Sequence, residues 1–194
     1  MLEEQAAEAS KPVITPDFEA PGGYTTLMRA AGRGNLEAME RMVEIGADVN
    51  YVNRNGTHTA LTWASSQGQI AAVKLLLQMG ANPNLELKPG TTALIEAVYW
   101  NHAAVTKALI RAGAEVNFQT TSWRVALHEA CNRNNAVIIK LLLQGQADPN
   151  LESAAGFTPL MIAARRGSVA VADLLIQYKA VTRAMNKLGH NALY

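Results

Sequence analysis

Gly156-Phe157-Thr158-Pro159-Leu160-Met161-Ile162-Ala163-Ala164, followed by Gly167, carries the punctuation of a short helix. The Thr158 hydroxyl can accept from a backbone N–H two or three residues on, which suits it to an N-cap. Pro159 fits the first helical position, where its missing N–H would have no partner in any case. Leu160, Met161, Ala163 and Ala164 supply an apolar face. Gly167 allows the left-handed turn that ends the helix. Val169, Ala172, Leu175 and Ile176 then recur at helical spacing, so a second helix follows.

The same pattern recurs along the chain. Leu27, Leu61, Leu94, Leu127, Leu160 and Leu193 are separated by 34, 33, 33, 33 and 33 residues. Ala30, Ala64, Ala97, Ala130 and Ala163 stand three positions after the first five. Gly46, Gly80, Gly113, Gln146 and Lys179 stand nineteen positions after them, each before an alanine. Asp48-Val49-Asn50, Asn82-Pro83-Asn84, Glu115-Val116-Asn117 and Asp148-Pro149-Asn150 follow. Each unit reads as two short antiparallel helices and an extended loop. Asn101 and Asn134 replace the glycine of Gly34, Gly68 and Gly167, and asparagine tolerates positive φ next best. At Gln146 the sequence predicts strain of roughly 1 kcal/mol, or a shift of the turn onto Gly145.

These motifs, Gly156 to Ala164 with Gly167 and Gly46-Ala47-Asp48-Val49-Asn50, resemble the ankyrin repeat. The resemblance covers residues 23–194. It implies an all-α repeat solenoid of helix-turn-helix units with projecting β-hairpin-like fingers. Units would fall near 23–55, 56–89, 90–122, 123–155 and 156–188, with a partial unit at 189–194. Short first helices would line a concave face and second helices a convex one. Departures are visible: Val125 lacks the capping hydroxyl, a cost of roughly 1 kcal/mol. His128 occupies the family's histidine position, and the second finger carries one extra residue near Arg54 to Thr59. Because the array stops inside a unit, the chain reads as a fragment of a longer array, with a native half-cap as the alternative.

Composition narrows the function classes. The chain has 194 residues, 49% of them hydrophobic, enough to bury a core. Its net charge of +1 hides an uneven distribution. Residues 1–22 carry five carboxylates against Lys11, a net of −4, leaving +5 on residues 23–194. With Pro12, Pro16, Pro21, Gly22 and Gly23, the first stretch reads as an acidic, flexible tail. Cys131 is the one cysteine, which excludes an internal disulfide framework and a zinc site built on several cysteines. No apolar run is long enough to span a bilayer, and the first residues lack a signal-peptide pattern. We therefore expect a cytoplasmic or nuclear protein without membrane insertion.

Catalytic constellations are not evident. The histidines at 58, 102, 128 and 190 are scattered over different units. His128 reads as a hydrogen-bonding residue between units, His58 as a solvated finger residue, and Cys131 as a buried thiol without an adjacent base. Gly32-Arg33-Gly34 lacks the third glycine of a dinucleotide loop and follows a helix. Asn55-Gly56-Thr57 fits a glycosylation sequon, but no secretion signal accompanies it. We expect no enzyme activity, cofactor, metal or small-molecule substrate.

The binding chemistry is expected in the groove. If first helices line the concave face, the positions two, five and six after each marker leucine point into it. They include Arg29, Arg33, Trp63, Ser66, Glu96, Tyr99, Trp100, Glu129, Arg133, Ile162, Arg165 and Arg166. Tyr51, Phe118, Trp123 and Arg124 belong to the fingers and their bases. Tryptophan, tyrosine and arginine are enriched in interface hot spots. We expect Trp63, Tyr99, Trp100 and Trp123 to form one patch that takes the apolar anchors of a partner peptide or domain. Acidic groups of the partner would pair with Arg133, Arg165 and Arg166, and Glu96 or Glu129 would take a lysine or arginine. The bland reading is that the aromatics cover joints between units and the arginines solubilise the surface. The function expected is a scaffold or adaptor module. Alternatives are a regulatory or substrate-recruiting array of a larger enzyme or channel, a structural spacer, and nucleic-acid binding, which the interleaved glutamates disfavour. The acidic tail is a candidate autoinhibitor of the groove. The asparagines 50, 84, 117 and 150 read as hydrogen-bonding finger residues, and the resemblance also implies a candidate site for an asparaginyl hydroxylase.

Overall fold

A computed structural model describes residues 15–187, 189 and 191. Among them ten helices form five antiparallel pairs: α1 Thr26–Arg33 with α2 Leu36–Glu44, α3 Ala60–Ser66 with α4 Ile70–Gln78, α5 Ala93–Tyr99 with α6 Ala103–Arg111, α7 Ala126–Asn132 with α8 Ala136–Gln144, and α9 Pro159–Arg165 with α10 Val169–Gln177. None exceeds nine residues. Helices this short are marginal in water alone, so their stability comes from stacking. First helices pack on first helices and second helices on second helices along the array, which is the architecture of a solenoid.

Local chemistry sets the ends. The hydroxyls of Thr25, Thr59, Thr92 and Thr158 each accept from the backbone N–H three residues on. Val125 leaves α7 without a side-chain cap. Asn101 and Asn134 take positive φ, as their position requires. Gln146 also does, at 68°, so the turn is not shifted onto Gly145. Gly145 keeps φ of −83°, and a Cβ there would lie 2.8 Å from the Ile110 Cγ2 methyl, so its glycine serves a close approach and not the turn.

The core is continuous. Leu27, Leu61, Leu94, Leu127 and Leu160 are buried with the alanines three positions on, and the small alanines let neighbouring helices approach closely. Among the described residues the fingers form no continuous strands: isolated antiparallel bridges join Ala20 to Tyr24 and Leu87 to Thr91, and the N–H groups of Asn53, Thr120 and Ser153 donate to the carbonyls of His58, Arg124 and Phe157. Side chains tie each finger to the next unit. Asn50 donates to the Gly80 carbonyl at 3.2 Å and accepts from the Asn82 N–H at 2.7 Å. Asn84, Asn117 and Asn150 repeat this pair of bonds to the following unit.

Residues 15–22 depart from the free tail expected there. The Asp17 carboxylate accepts from the Asp48 N–H at 3.2 Å, as the finger asparagines accept one unit further on. Asp17 precedes Asn50 by 33 residues, so it holds the finger register. Glu19 Oε1 accepts from the Tyr51 hydroxyl at 3.1 Å and the Arg54 N–H at 2.6 Å. These carboxylates therefore serve the first finger. Residues 1–14, where the rest of the tail and any autoinhibitory contact would fall, lie outside the described residues, as does most of the partial unit at 189–194.

Candidate functional site

The expected aromatic patch divides in two. The first cluster is Tyr24, His58 and Trp63, with ring centroids 4.7 Å apart for Tyr24–Trp63 and 5.1 Å for His58–Trp63. Trp63 lies across Gly32, where a Cβ would collide with the indole. It is half-buried, closing the joint between the first two units. His58 is thus no solvated finger residue. Burial lowers its pKa, with the Glu96 carboxylate opposing.

The second cluster centres on Tyr99. Trp100 meets its ring edge-on at 5.2 Å, and the Arg133 guanidinium sits over it at 3.7 Å. Arg124 approaches the same ring at 5.7 Å. Glu129 holds both cations, Arg133 at 3.1 Å and Arg124 at 3.8 Å. Glu96 accepts from the Trp100 indole N–H at 3.2 Å and from the Thr91 hydroxyl at 2.8 Å. Both glutamates, expected to receive a partner's cation, are instead occupied inside the array. A carboxylate among neighbouring donors satisfies itself locally when the alternative is a screened surface charge. Arg165 and Arg166 make no ion pair among the described residues.

Beside this cluster opens a cleft of 220 Å³ lined by Trp123, Arg124, His128, Glu129, Phe157 and Arg165. The Arg165 guanidinium lies 5.4 Å from the Phe157 ring. Trp123 is 56% exposed and Trp100 54%. Trp123 also has φ of 61°, a conformation in which a bulky side chain is strained. Gly23, Gly90 and Gly156 hold the equivalent positions, all at positive φ. This anomaly escaped the sequence reading, yet the signal was present: tryptophan stands four positions before a marker leucine where three other units have glycine.

The remaining expected residues lie apart. Arg29 is exposed and donates to the Pro21 carbonyl at 3.1 Å. Arg33 is exposed at the end of α1, and Phe118 is half-buried. Tyr51 packs against the core with its hydroxyl on Glu19. Ser66 is buried, and Ile162 is buried at the wall of the cleft beside Phe157 and Arg165.

His128 Nε2 lies 3.0 Å from the Phe157 carbonyl, a bond to the next unit. Burial lowers its pKa, opposed by the carbonyls of Phe157 and Leu151. Cys131 is buried, and desolvation pushes its pKa up to about 12, so it is a thiol at neutral pH and no nucleophile. No group of three or more His, Cys, Asp or Glu residues able to hold a metal occurs among the described residues. No helix among them is long and apolar enough to cross a membrane.

A family model described as ankyrin repeats matches the sequence in three copies, over residues 11–87, 27–120 and 127–194. The chain belongs to the ankyrin repeat family. The first match begins at residue 11, so it includes the stretch in which Asp17 and Glu19 hold the first finger. A search of curated proteins matched none. Ankyrin repeats generally mediate protein–protein interaction and are typically non-catalytic. In this ankyrin array the exposed indoles, the cleft, Arg165 and Arg166 lie on the fourth and fifth units and the end of the third.

Proposed function

We propose that the array is a scaffold or adaptor module that binds a segment of a partner protein across the first helices and fingers of its third to fifth units. Apolar anchors of the partner cover Trp100 and Trp123 and enter the cleft beside Phe157. Acidic groups pair with Arg165 and Arg166, which have no counter-ion among the described residues. The observation that carries this reading is Trp123. A left-handed tryptophan costs of order 1–2 kcal/mol, and its largely exposed ring recovers little of that by packing within the array. Strain kept at an exposed aromatic suits an interface, where a partner desolvates the ring.

The test is affinity purification from cell extract with the wild-type array beside a Trp100→Ala/Trp123→Gly variant. Candidates captured by the wild type are then titrated individually. Direct binding weakened at least about tenfold in the variant, with circular dichroism unchanged, supports the proposal. Equal binding of every captured partner by both proteins overturns it.

A further inference from the structure

A second recessed surface lies on the layer of second helices. Between α4 and α6 runs a groove of 460 Å³. Ile70, Leu77 and Ala108 contribute its apolar floor, and Lys74, Lys107 and Arg111 its rim. No carboxylate lines it. None of the three cations makes an ion pair among the described residues, and all three are exposed.

The cations follow the repeat. Lys74, Lys107 and Lys140 are spaced by 33 residues, one on each of α4, α6 and α8. Packed helices lie about 8–10 Å apart, so these lysines form a band with that period across three units. The band stops abruptly. Glu40 and Asp173 hold the same register on α2 and α10, and Glu44 adds to the negative end, whereas Glu37 is paired with Arg41 at 2.7 Å.

We propose that this groove is a second docking site, for an acidic amphipathic helix of a partner protein. Its apolar stripe lies on Ile70, Leu77 and Ala108, and its flanking carboxylates face Lys74, Lys107 and Arg111. The charge pattern selects this occupant. A flat anionic membrane laid over the face would meet the carboxylates of α2 and α10 at both ends, whereas a single helix fits inside the basic band. The length agrees as well: α6 has nine residues, hence about 13 Å of groove, which two to three turns of helix would fill.

The probe is a synthetic leucine/glutamate amphipathic peptide of about 15 residues, titrated by fluorescence anisotropy at low salt. Binding should fall at least about tenfold for Lys107→Glu/Arg111→Glu and for Ala104→Trp, which fills the groove. Trp100→Ala should bind it as the wild type does, which separates this site from the one proposed above. The variants are compared by thermal melting to establish that they are folded. The proposal is overturned if the wild type does not bind the peptide, if either groove variant binds unchanged, or if a leucine/lysine peptide binds equally. Stronger binding to phosphatidylserine vesicles than to the acidic peptide would also overturn it.

Discussion

Trp123 shows how one residue can set local stability against surface chemistry. Its φ of 61° belongs to glycine in the neighbouring units. Glycine populates that region freely, whereas a Cβ costs about 1 kcal/mol or more. Trp123→Gly should therefore be more stable than Trp123→Ala by about 1 kcal/mol in urea denaturation, although both remove the same ring. Equal stabilities would mean that the backbone there is not strained. His128 makes a different residue-scale case. Its pKa is lowered in the fold, so the folded state binds fewer protons than the unfolded chain. Stability from its neutral form is fully present above the ordinary histidine value of about 6.5 and declines as the pH falls below it. His58 shifts in the same direction and adds to the effect. The melting temperature should thus drop between about pH 7 and pH 5, and His128→Gln should flatten that slope; identical slopes in the two proteins would refute the assignment. The role of His128 between units was legible from the repeat register. The burial of His58 was not, since it depends on Trp63 folding across Gly32.

At the scale of the element, each first helix is too short to persist unaided, so its cap matters. The N-cap of α7 is Val125, with no side-chain acceptor, whereas α1, α3, α5 and α9 are capped by threonine. Val125→Thr is nearly isosteric and presents an oxygen to the His128 N–H. It should raise stability by about 1 kcal/mol, read from the urea midpoint. No gain would show that the site is already satisfied in another way. Caps, helix faces and terminal asparagines or glycines were all legible because each is a local rule. The loops were less so. Asn50, Asn84, Asn117 and Asn150 were expected to hydrogen-bond within the fingers, but their partners in the following unit were not legible. Those bonds reach about 30 residues ahead, beyond what a local pattern specifies.

Among the described residues the units stack in a row, each helix layer on that of the next unit, so stability is approximately the sum of unit and interface contributions. Asn84 carries two bonds between the second and third units. Asn84→Ala should cost roughly 1–2 kcal/mol and broaden the unfolding transition as the array divides at that joint. An unchanged, equally steep transition would show that the apolar interface alone couples the units. The sequence by itself determined the repeat, its period, the helix pairs and the buried face, because those follow from spacing and from each residue's own conformational preferences. It raised the expectation of one surface for the aromatics and arginines, which fall instead into two clusters. Only the tertiary structure decided which remain available: Trp63 closes a joint, Glu96 and Glu129 satisfy neighbouring donors, Glu19 anchors the first finger, and Trp100 and Trp123 are left exposed. The physical reason is that availability depends on which groups meet across units, and those contacts exist only once the units have stacked.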